Sequence, residues 1–103
     1  MIVTIYHHKK CLNYEPWHNH IHLDDYVIAG IVRCSNLNEA FQITQNNAKQ
    51  WYYNKNVISV TQRILRSTTI GDIFYTNCYY YLIQELCFQE LKCIGNGILT
   101  KKE

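Results

Sequence analysis

Proline occurs once, glycine four times and methionine once in 103 residues, so the chain holds few of the residues that punctuate loops and linkers. No proline-rich or glycine-rich stretch marks a boundary between domains, and one α+β domain spanning residues 1–103 is expected, with a loose tail from about residue 95. No run of roughly 18 apolar residues is present to span a membrane as a helix. The N-terminus, Met1-Ile2-Val3-Thr4-Ile5-Tyr6, lacks the basic start and cleavage site of a secretory signal, and Lys9 and Lys10 follow its apolar run instead of preceding it. A cytoplasmic location is therefore expected. The five cysteines are odd in number and contain no C-x-x-C pair, which argues against a disulfide framework or a thiolate zinc site.

Charge is also scarce. Ten basic residues face eight acidic ones, and the net +2 is too weak to imply nucleic acid as a partner. There is no phosphate-cradling glycine loop, no nucleophile elbow and no H-E-x-x-H pattern, so no catalytic constellation is found and an enzyme is not expected. A domain of this size buries only about 60–65% of the surface exposed by its unfolded chain, which leaves self-association open.

What is present is β-branched and aromatic. Ile2–Tyr6, Tyr26–Val32, Val57–Gln62 and the pair Ile73–Tyr75 and Tyr79–Ile83 suit strands. In the last pair Asn77 can take the left-handed conformation of a tight hairpin. Leu86–Leu91 suits a short final strand. Asn36 stands in N-cap position with Glu39 three residues on, and Leu37, Ala40, Phe41, Thr44, Ala48 and Trp51 recur on one helical face. The expectation is a small, mostly antiparallel sheet of about four to five strands with one amphipathic helix packed across it.

Three groups of residues can carry function. Tyr75, Tyr79 and Tyr81 offer large area with a polar tip and would bind a protein partner, or a second copy, along an exposed sheet edge. His18, His20 and His22 alternate in an extended run and so project to one face, where they could hold a divalent metal with Asp24 or Asp25; the same run also suits the polar face of an exposed strand. Lys9, Lys10, Arg63 and Arg66, among aromatics such as Tyr14 and Tyr52, could track single-stranded nucleic acid. Aromatics on a sheet serve more often as cross-strand pairs.

The stretch Arg66-Ser67-Thr68-Thr69-Ile70-Gly71-Asp72 reads mechanically as a turn that launches the hairpin. Hydroxyls bond nearby amides, Gly71 takes a dihedral closed to other residues, and Asp72 holds the turn. Together with Leu37–Phe41 and the tyrosine-rich hairpin, it resembles small proteins of cyanobacteria and mobile elements that carry an R-S-T-S-V-G-D-[VI] signature. Thr69 and Ile70 depart mildly from that signature, and Cys87-Phe88 stands where Gly-Phe is expected. The resemblance covers roughly residues 26–91 and implies an α+β fold without any activity.

Overall fold

The computed structural model describes residues 1–16, 20–61 and 65–102. Among these residues lie eight strands: β1 (Ile2–His8), β2 (His20–His22), β3 (Tyr26–Arg33), β4 (Val57–Val60), β5 (Ile73–Thr76), β6 (Tyr79–Ile83), β7 (Phe88–Gly95) and β8 (Ile98–Lys101). They form one sheet in the order β2-β8-β7-β6-β5-β1-β3-β4, and every pairing is antiparallel. The sole α-helix among the described residues, α1, runs from Leu37 to Ile43. The expected sheet of four to five strands under a long amphipathic helix is thus overturned. Among the described residues no helix is long and apolar enough to cross a membrane.

The helix starts as its sequence dictates, since Asn36 Oδ1 accepts from the Glu39 amide at 2.8 Å and Glu39 reaches back to the Ser35 amide at 3.2 Å. Its end lies earlier than the periodicity suggests. Thr44 folds its hydroxyl onto the carbonyls of Ala40 and Phe41, and Asn46 binds the Leu65 carbonyl and the Trp51 amide. These side chains offer the backbone alternatives to helix. Trp51 is buried, but from a separate 3-10 turn, Trp51–Tyr53, and Ala48 is exposed. Asn36→Ala should cost about 1 kcal/mol, as the loss of an N-cap does, read as a lower urea midpoint; an unchanged midpoint would show that packing alone holds α1.

The tail from residue 95 is likewise corrected, because Gly97 at φ +71° turns the chain and Ile98–Lys101 pairs with both β7 and β2. Strands of three or four residues alternate too briefly to announce themselves in a sequence.

One connection sets the shape. β2 and β3 stand six strand positions apart, about 29 Å in a flat sheet, yet only the turn Leu23–Asp25 joins them. The chain from His22 to Tyr26 reaches about 14 Å at most. The sheet must therefore curl, bringing β2 round toward the start of β3. The Leu23 amide, bonded to the Gly97 carbonyl at 2.8 Å, ties that turn to the β7–β8 hairpin. Inside the curl pack Ile21, Tyr26, Ile73, Leu82, Leu91 and Leu99. On the opposite face Val3, Ile5, Ala29, Val32 and Phe74 lie beneath Ala40, Ile43, Trp51 and Leu65.

Candidate functional site

The Arg66–Asp72 stretch is densely bonded. Asp72 is fully buried. It takes both ends of the Arg66 guanidinium, from Nη1 to Oδ2 at 2.7 Å and from Nη2 to Oδ1 at 2.8 Å. It also accepts from the amides of His8 and Thr69, each at 2.8 Å. Arg66 spends a further N–H on the His8 carbonyl, while its own carbonyl accepts from Trp51 Nε1. Ser67 Oγ accepts from the Asn46 amide. The Gly71 carbonyl accepts from the Tyr26 hydroxyl at 2.7 Å, whose acidity burial weakens further. Gly71 itself has φ +95° and stands against Tyr14 and Leu12, where a Cβ would lie 2.9 Å from the Tyr14 carbonyl oxygen. All of these contacts hold backbone in place. The guanidinium assigned to nucleic acid is already neutralised by a carboxylate.

Beside this node two histidines sit in unlike surroundings. His7 is buried against the edge of the Trp51 ring, with Nε2 at 3.0 Å from Thr68 Oγ1. Burial pushes its pKa down to about 4, with Asp72 opposing the shift and Arg66 assisting it. His8 alternates to the other face and packs edge-on to Tyr26; burial lowers its pKa too, against Asp25 and Asp72.

The three candidate tyrosines do not share a surface, and the hairpin that bears them is not an edge. β5 and β6 lie in the middle of the sheet, whose edges are β2 and β4. Tyr75 pairs with Tyr80, and Thr76 with Tyr79, so Tyr75 points to one face and Tyr79 and Tyr81 to the other. Tyr75 packs at a tilt against Tyr80, with ring centroids 4.6 Å apart, and Tyr6 closes the group. Burial raises the Tyr80 pKa to about 12. Tyr81 is partly buried against the core beneath α1. Tyr79 alone of the three is exposed.

Of the histidine run, His20 and His22 flank the inward Ile21 on β2 and are exposed, while His18 lies outside the described residues. Among the described residues no three His, Cys, Asp or Glu side chains come close enough to hold a metal ion. Lys9 and Lys10 are exposed after β1, and Arg63 lies outside the described residues. All five cysteines are free thiols; Cys34 is buried and the others exposed.

The surface that sequence reasoning missed is a groove of about 550 Å³ between α1 and the β6–β7 loop, walled by Leu37, Phe41, Ile70, Ile83 and Phe88 together with the polar Asn38, Gln84 and Glu85. At its rim Leu86 is 95% exposed. The loop is made by Gln84, whose amide bonds the Cys87 carbonyl at 2.9 Å and whose side chain accepts from Cys87 Sγ. This two-way bond lifts Glu85 and Leu86 off the sheet. In sequence Leu86 opens an apolar run that continues into β7, and nothing in its neighbours separates a loop leucine from a strand leucine. Comparison of the chain with protein-family models, curated proteins and solved structures yields no match.

Proposed function

We propose that this chain is a non-enzymatic interaction protein that pairs with a second copy of itself, Leu86 of each copy entering the groove of the other. The observation that carries this is the 95% exposure of Leu86 at the rim of a groove that presents Leu37, Phe41, Ile70 and Phe88. A leucine moved from water into such a groove contributes roughly 1.5–3 kcal/mol. Knob and hole on one face are what a two-fold, self-complementary interface requires. Each pair then buries two leucines, not one. The resemblance to cyanobacterial and mobile-element proteins brings no activity that competes with this reading.

Sedimentation equilibrium over a range of concentrations tests it. Wild type should show a monomer–dimer equilibrium that Leu86→Asp weakens by about two orders of magnitude or more, the equivalent of two lost leucine contacts. Tyr79→Ser, exposed but away from the groove, should leave it unchanged. A wild-type protein that stays monomeric throughout overturns self-association, and a dimer lost with Tyr79→Ser but kept with Leu86→Asp moves the interface to the hairpin.

A further inference from the structure

A second cleft, of about 270 Å³, lies where the 9–16 loop meets the β2–β3 connection, and His8, Lys10, Tyr14, His20, His22 and Asp25 supply its polar lining beside Tyr26, whose hydroxyl is already given to the Gly71 carbonyl. Most of these groups can donate a hydrogen bond: an ammonium, a phenol and three imidazoles stand against a single carboxylate. His8 is held as a donor by its own surroundings. Its Nδ1 accepts from the Lys10 amide at 3.0 Å, which leaves Nε2 as the nitrogen that carries the ring proton. That N–H has no acceptor among the described residues. A metal ion would need three ligands within about 2.0–2.2 Å of one point, and the described side chains do not converge that closely. An oxyanion needs much less convergence, because each of its oxygens accepts at about 2.8 Å in its own direction.

We propose that this cleft binds a small oxyanion, a phosphoryl or carboxylate group, through Lys10, His8, His20 and His22. The volume limits the ligand to a few heavy atoms beyond the anionic group, since drug-sized ligands fill pockets of about 300–1,000 Å³. Leu12 and Pro16 give an apolar wall for those atoms. Asp25, whose charge also acts on His8, is the one repulsive group in the lining.

The test is calorimetric titration of the whole chain with inorganic phosphate and, separately, with succinate, followed by histidine-ring NMR signals. Saturable one-to-one binding is expected for at least one of them. Tighter phosphate binding assigns a phosphoryl ligand, and tighter succinate binding a carboxylate. The His20→Ala, His22→Ala double variant should weaken that binding about tenfold or more, the equivalent of one lost charge-assisted hydrogen bond. Both positions are exposed, and an unchanged circular dichroism spectrum checks the fold. Ring signals of His8, His20 and His22 should move with added anion while buried His7 stays fixed. No saturable binding of either anion overturns the proposal; so does a double variant that binds like wild type, since the anion then sits elsewhere.

Discussion

Asp72→Ala should remove about 3–5 kcal/mol of folding stability, the usual consequence of deleting one member of a buried ion pair. Against the roughly 5–15 kcal/mol available to a domain of this size, that loss brings the protein near the edge of folding at room temperature. Asp72 is not an isolated partner to Arg66. Its two oxygens gather four N–H groups from three places: the guanidinium, the end of β1 at His8 and the turn at Thr69. Alanine would orphan two amides as well as the guanidinium, each a desolvated donor without an acceptor. The Arg66 side chain keeps 28% exposure, so water can recover part of its share, which places the expected loss toward the lower end of the range. Arg66→Lys should cost less than Asp72→Ala but clearly more than a surface change, because one ammonium cannot replace a fork that serves both carboxylate oxygens and the His8 carbonyl. Urea unfolding at neutral pH measures all three proteins. A loss below about 0.5 kcal/mol for Asp72→Ala, typical of a surface substitution, would mean that the pair only decorates a turn already held by its backbone.

The same node shows where sequence is informative and where it stops. The turn over Arg66–Asp72 was legible because its causes are local: Gly71 has φ +95°, and Asp72 bonds the amide three residues back. The hairpin was legible for the same reason, with Asn77 and Cys78 at φ +50° and +71° between the paired Thr76 and Tyr79. The Asn36 cap needed only Glu39. What lay hidden depends on residues far apart in the chain. That Asp72 would meet the His8 amide, 64 residues away, follows from β1 pairing with both β3 and β5. That pairing places the tyrosine hairpin mid-sheet, so reading it as an edge failed. Trp51 fell on the helical period of α1 by coincidence; its indole is directed to the Arg66 carbonyl. The curl of the sheet, which creates the oxyanion cleft by bringing β2 beside the 9–16 loop, rests on the brevity of Leu23–Asp25, and a short link between strands reveals nothing until the strand order is known. The groove beside Leu86 is invisible for a simpler reason. An apolar residue in water and one in a core are the same letter.

Lowering the pH should destabilise the protein through His7. Folding holds this imidazole neutral, with a pKa of about 4, whereas in an unfolded chain a histidine titrates near 6.5. Between those values the unfolded state binds a proton that the folded state refuses, so stability is full above about pH 6.5 and falls as the pH is lowered toward 4. The linked loss for a group shifted this far is about 2 kcal/mol by pH 5 and about 3 kcal/mol by pH 4. His8, shifted in the same direction, adds to the slope with the same sign. The comparison that isolates His7 is urea unfolding of wild type and His7→Gln at about pH 7.5 and pH 5. Glutamine can retain a bond to Thr68 Oγ1 but has no proton to gain, so the variant should lose markedly less stability than wild type between the two pH values, whatever its stability at the higher one. Equal losses in the two proteins would place the acid sensitivity in other groups and would mean that the His7 ring accepts a proton without leaving its place against Trp51.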